Sequence, residues 1–173
     1  MLRSQRNRRA SPRREQLDPE GQLPRTWGMF GRDHLPYRLL LLARMIDRQA
    51  SRKLQADFNI SLAEWRVLAF VGVSGPSTAA TIGTHGRIDR AEISRAVSAL
   101  ERKGLAIREA HPTNRRKLII KQTERGAALF EEVRHERQSF FQSMLATIPS
   151  EDSDAIERSL TAMAMWLQQT AEN

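Results

Sequence analysis

The chain has no cysteine among its 173 residues, and that absence closes several routes at once. A disulfide framework, a thiolate zinc site and a thiol redox sensor all need sulfur, so none is available, and a reducing cytoplasm is the natural compartment. Apolar runs are short: none approaches the roughly 18 residues of a membrane span. No apolar segment follows the first arginines as it would in a signal peptide. The expectation is a soluble, cytoplasmic protein without membrane contact. Glycine-rich phosphate loops are missing too. "GVSGP" around Ser74 resembles a nucleophile elbow, but Pro76 stands where that motif requires its second glycine. The four histidines, His34, His85, His111 and His135, lack metal-ligand spacing. No catalytic residue, metal ligand or cofactor is therefore expected, and the chain does not read as an enzyme.

What the sequence has is positive charge. Lysine and arginine outnumber the acids 28 to 20, a formal net charge of +8, which favours polyanionic partners such as nucleic acid. Part of this charge is segregated. Arg3, Arg6, Arg8, Arg9, Arg13 and Arg14 fall before the first acid, and Pro12, Pro19, Gly21 and Pro24 punctuate a stretch with little apolar content. Residues 1–26 are expected to form a basic, disordered arm, either a solvated tail or a non-specific phosphate-binding one, since counterion release needs only flexible cations. Trp27, Met29 and Phe30 could instead dock on the folded part. No internal repeat is present.

From Asp33 the pattern turns helical. Asp33 suits an N-cap with Pro36 in the first turn, and Leu35, Leu39, Leu42, Ala43, Ile46, Ala50 and Leu54 recur every three or four residues towards Phe58. Asn59 suits a left-handed C-cap. Ser61 and Glu64 form a capping box for a second helix through Trp65, Leu68, Ala69 and Val71, which Gly72, Gly75 and Pro76 are expected to stop. Ser77 should cap a short helix running to His85, with Gly86 as its terminator; Gly83 and Gly86 weaken that segment. Trp65 could line an effector pocket, although its place on an apolar helix face favours the core.

The next helix carries the most information. Asp89 caps it with Glu92, Ile93, Ala96, Val97 and Leu100 line one stripe, and Gly104 ends it. The opposite face centres on Ala91, Arg95, Ser98 and Arg102, with Arg90 and Ser94 on one flank. Small residues let such a face approach a groove floor, and arginine offers a bidentate fork to guanine or a phosphate. A plainly solvated face is the competing reading. After it, residues 105–110 ("LAIREA") and 117–121 ("KLIIK") read as strands flanking "HPTNRR", a turn made by Pro112 and Asn114 that displays Arg115 and Arg116. Helices followed by a hairpin with a basic tip give a winged helix-turn-helix, in which a recognition helix enters the major groove and a wing arginine can reach the minor groove. The candidate DNA-binding residues are Ser77 and Thr78 for the backbone, Arg90, Ala91, Ser94 and Arg95 for base edges or phosphates, and Asn114, Arg115 and Arg116 in the wing.

The stretch "SLAEWRVLAFV … IDRAEISRAVSALERKGLAIREAHPTNRRKLIIKQTERG", residues 61–126, resembles the MarR family of bacterial transcription regulators. That family typically has Asp-x-Arg in the wing and Leu-Thr-x-x-Gly opening the next helix. Here the positions read Asn114, Arg115, Arg116 and Gln122, Thr123, Gly126. Asn114 leaves a neutral partner and a looser wing, and Gln122 is expected to cost packing where the wing meets the helix. The "THGR" loop before the recognition helix is richer in glycine than usual.

Two further helices fit the resemblance. Thr123 caps one running to about Thr147 through Ala127, Phe130, Val133, Phe140, Met144 and Leu145; Pro149 and Ser150 begin another with Ile156, Leu160, Met163 and Leu167. The fold class is mainly α with a small β-hairpin wing (α+β). Residues 61–122 form the winged helix-turn-helix, and residues 33–60 with 123–171 form a helical dimerisation region, as the resemblance implies. The function implied is a homodimeric, sequence-specific DNA-binding regulator, a repressor reading a pseudo-palindrome and responding to a small aromatic or organic-acid effector. The alternative is a nucleoid or replication-associated winged-helix protein that binds DNA without sequence preference. A winged helix without DNA function has no supporting constellation.

Overall fold

The computed structural model describes residues 23–28, 34–86 and 88–171, with the side chains of Arg25, Arg115 and Ala171 outside the description. The first 22 residues, Met29, Phe30 and the expected cap at Asp33 also lie outside it. The chain divides into two compact units, residues 1–52 and 53–173. In the first, Arg25–Gly28 form a short 3-10 turn. The Trp27 N–H donates to the Pro24 carbonyl at 2.7 Å, and the Trp27 carbonyl accepts from Arg38 Nε at 3.1 Å. Arg38 lies on α1 (Leu35–Phe58), whose residues up to Arg52 belong to this unit.

The second unit begins with the last turns of α1. Asn59 ends that helix at φ 52°, the left-handed conformation expected of it, and the reversal lets Ile60 donate to the Leu54 carbonyl at 3.2 Å. Lys53 bonds Asp57 at 2.7 Å and Glu136 at 3.4 Å; the Asp57 hydrogen bond, then Glu136, raises its pKa above the ordinary lysine value. The second helix, α2 (Leu62–Ser74), opens with both halves of the Ser61/Glu64 capping box. It does not stop at Gly72 but runs on to Ser74, where Gly75 turns away at φ 77°. Gly72 serves another purpose: a β-carbon there would meet Gln122 Nε2 at 2.8 Å and the Phe130 ring at 3.0 Å.

Ser77–Thr78 form a strand, β1, so Ser77 is not a helix cap. The cap of α3 (Ala79–Gly86) is Thr78, whose Oγ1 accepts from the Thr81 N–H at 3.1 Å. Then come α4 (Arg90–Arg102), β2 (Ala106–His111), β3 (Asn114–Gln122), α5 (Glu124–Leu145) and α6 (Ser150–Ala171). The sheet is antiparallel in the order β1-β3-β2, with Ser77 opposite Ile120 and Arg108 opposite the same residue from the other side. Pro112 and Thr113 make the hairpin turn. Asn114 already pairs with His111, so Arg115 and Arg116 lie in the strand rather than in the turn.

The core of this unit joins Ile60, Val67, Leu68, Ile93, Leu100 and Ile120 with Phe130 and Val133 of α5, so the packed lobe continues past residue 122. Its one buried carboxylate among the described residues, Glu64, is 6% exposed. An unpaired buried charge would be costly. Lys103 removes the problem, its Nζ donating to Glu64 Oε2 at 2.7 Å and to the Asn59 carbonyl at 2.6 Å. One lysine at the end of α4 thus ties together the end of α1 and the start of α2. None of the described helices is long and apolar enough to cross a membrane.

Candidate nucleic-acid interface

Local chemistry sets the attitude of α4. Asp89 Oδ1 accepts from the N–H groups of Ala91 at 2.8 Å and Glu92 at 3.2 Å, satisfying two amides that the first turn leaves without helical partners. At the other end Gly104, at φ 67°, reverses the chain into β2. Between these ends Ile93, Ala96, Val97 and Leu100 are buried, the same four residues that the 3.6-residue period selects. Packing therefore fixes which face remains outside. Arg90, Ala91, Ser94 and Arg95 are all exposed, and the two arginines have no ion-pair partner among the described residues.

The approach to this helix is close. At Gly83 in α3, an added β-carbon would stand 3.4 Å from the Ile88 carbonyl oxygen and 3.4 Å from Ile93 Cδ1. Small size at Gly83 thus lets α3 pack against the start of α4, which suits a glycine-rich segment better than a weak helix would suggest.

The other expected residues fall in different settings. Thr78 is partly buried, and its hydroxyl lies 2.9 Å from that of Thr81 while it caps α3. Ser77 is 8% exposed, and its Oγ donates to the Gly75 carbonyl at 3.0 Å. That hydroxyl donates within the turn before α3. In the wing, Asn114 Oδ1 accepts from the Arg116 N–H at 3.2 Å. The neutral residue thus ties the strand's first residues together through backbone. Arg116 and Lys117 are exposed.

Gln122 also departs from expectation. Its Nε2 donates to the Leu68 carbonyl of α2 at 3.0 Å, so the amide gains a polar tie in place of apolar contact. Trp65 stacks on Phe130 with ring centroids 5.9 Å apart and packs against the core, the setting favoured for it above. Sequence reasoning missed β1, the Lys103 tie and a contact from the wing to α4 by Arg108. For Arg108 the available signal was charge: Glu101 and Arg108 flank the Gly104 reversal with opposite signs.

Residues 58–117 match the MarR family model. These residues belong to the MarR family. The MarR segment runs from the last residue of α1 to the fourth residue of β3, and so includes α4 and the wing turn. Over a longer span the chain is similar to YwoH of Bacillus subtilis, an uncharacterized HTH-type transcriptional regulator. The two are 26% identical over 136 residues, 79% of this chain and 96% of YwoH. Among solved structures, MepR of Staphylococcus aureus in its DNA complex superposes with a TM-score of 0.68 at 21% identity, covering 76% of this chain and 96% of MepR. NMB1585, a MarR family regulator from Neisseria meningitidis, does so at 0.62 and 21%, covering 81% and 95%. The fold is the winged helix-turn-helix of MarR regulators.

Proposed function

We propose that the chain is a homodimeric, sequence-specific DNA-binding transcriptional regulator, acting as a repressor on a pseudo-palindromic operator. The observation that carries this reading is the division of α4, with four apolar residues buried and Arg90, Ala91, Ser94 and Arg95 turned outward. Arginines beside small residues suit base edges and the phosphates lining a major groove. Thr78, Asn114, Arg115 and Arg116 supply backbone and wing contacts. Support comes also from the regulators that the chain resembles, one of them solved on DNA. A two-fold dimer would set its recognition helices about 34 to 36 Å apart, one turn of the duplex. A small aromatic or organic-acid effector would act by favouring a dimer state with another spacing. The protein works as a binding module rather than an enzyme, in the cytoplasm where its DNA is.

The test is an anisotropy titration of the whole chain against DNA from upstream of its own gene and a scrambled duplex, across a salt series. We expect a preference of at least about a thousandfold that persists near physiological salt. Equal and steeply salt-dependent binding to both duplexes would favour the non-specific nucleoid reading, with the basic arm as the main source of affinity. Within the same assay Arg95→Ala should cost about 1 to 3 kcal/mol on the preferred duplex alone if Arg95 reads a base. An equal loss on both duplexes makes it a phosphate contact.

A further inference from the structure

We propose that Arg108 is a positioning residue that locks the wing to α4, so that the two present their contacts as one rigid surface; its effect at DNA rests on the regulator reading above. Arg108 is the third residue of β2, yet its guanidinium reaches back to the helix. Nη1 donates to Glu101 Oε2, and Nη2 donates to Ser98 Oγ at 3.2 Å. The two acceptors are three residues apart on α4, so one planar group bonded to both fixes direction as well as distance. The Arg108 and Glu101 side chains are each 30% exposed, which shields the pair more than a surface salt bridge.

Among the described residues, little else holds the outer hairpin. Pairing with β1 reaches only Ile119 and Ile120 of β3, and the register slips between Ala110 and His111. Leu118 is 53% exposed and Ile107 39%, so neither anchors the outer hairpin by deep burial. From Arg108 to the turn at Pro112 the strand covers about 13 Å, and a swing of about 10° would displace the tip by about 2 Å. A displacement of that size breaks any hydrogen bond the tip makes. The brace has a second consequence. It neutralises Glu101, whose carboxylate would otherwise repel phosphate beside a basic helix, and it occupies Ser98, which therefore drops out of the outward face.

The absence of cysteine makes the test direct. Arg102→Cys and Thr113→Cys place two unique spin labels on α4 and the wing tip, and labelled chains diluted into unlabelled ones report the distance within a chain. The parent should give one narrow distribution. Arg108→Met should broaden it by about 2 Å, the displacement of that swing, and Arg108→Glu combined with Glu101→Arg should narrow it again. Unchanged width in Arg108→Met overturns the proposal. Should that variant fail to fold, Arg108→Lys and Ser98→Ala each remove part of the brace and must still broaden the distribution. On any duplex that the wild type binds, hydroxyl-radical footprints give the consequence. Arg108→Met should lose protection at the flanks and keep it at the centre, with affinity falling roughly tenfold; charge reversal restores both. Uniform loss across the footprint, without broadening in the free protein, would mark a merely structural residue and refute positioning. Failure of the wild type to bind any duplex would sink the regulator reading instead, leaving the label distances to decide the brace.

Discussion

A methyl group at position 126 would stand 1.9 Å from the carbonyl oxygen of Leu105 and 2.9 Å from its carbonyl carbon. That carbonyl also accepts from the Thr123 N–H at 3.2 Å, so the first turn of α5 sits directly on the backbone leading into the wing. The family pattern Thr-x-x-Gly thus has a physical cause: Thr123 caps the helix, its Oγ1 donating to the Gly104 carbonyl at 2.7 Å, and only a glycine fits three residues on. Gly126→Ala should destabilise the chain by about 2 to 4 kcal/mol, combining overpacking with the loss of one hydrogen bond. The urea midpoint with an unchanged slope would measure this. Gly72→Ala should cost less, because the atoms in its way belong to the side chains of Gln122 and Phe130 and a helical alanine recovers up to about 1 kcal/mol. If Gly72→Ala proved the more damaging change, the close approach of Gly126 to Leu105 would be wrong.

At the scale of elements, what the sequence revealed was what neighbours in sequence decide. The Ser61/Glu64 box, the Asp89 and Thr123 caps and the Asn59 reversal all depend on partners within a few residues, and each is found where its local pattern puts it. The buried stripe of α4 was legible for the same reason. The two-residue strand β1 was not, because Ser77 and Thr78 become a strand only by pairing with Ile119 and Ile120, more than forty positions on. Ser77 consequently lost the cap to Thr78. Gln122 and Arg108 were misread or missed for a related reason: their partners, Leu68 and Glu101, lie on other elements. Caps that are local should also be separable by mutation. Asp89→Ala should cost about 1 kcal/mol of stability and Asp89→Asn little, since asparagine accepts the same backbone bonds. Equal losses in thermal unfolding would show that the contribution of Asp89 is charge at the helix start rather than the cap.

The whole molecule raises a question that no single element answers: what covers α6. In this helix Ile156 is 40% exposed, Leu160 42%, Trp166 63% and Leu167 61%, and at the end of α5 Leu145 is 57% exposed. Ile156, Leu160, Met163 and Leu167 recur at helical spacing, so the apolar residues form a stripe rather than a scatter. An exposed stripe of that kind suits a partner surface, and in the proposed dimer the partner would be a second copy using the same helices about a two-fold axis. Each leucine fully buried on association contributes about 1.5 to 3 kcal/mol. Symmetry doubles every such contribution, because each substitution enters both chains. Leu160→Asp with Leu167→Asp should therefore weaken association by well over a hundredfold, at about 1.4 kcal/mol per factor of ten. Sedimentation equilibrium should find the wild type at twice the 19.8 kDa chain mass and the double variant at one. Neither substitution touches the core around Val67 and Ile93, so the variant's lobe should still unfold cooperatively. A wild type that stays monomeric at high concentration would defeat the dimer and, with it, the expectation of a palindromic site.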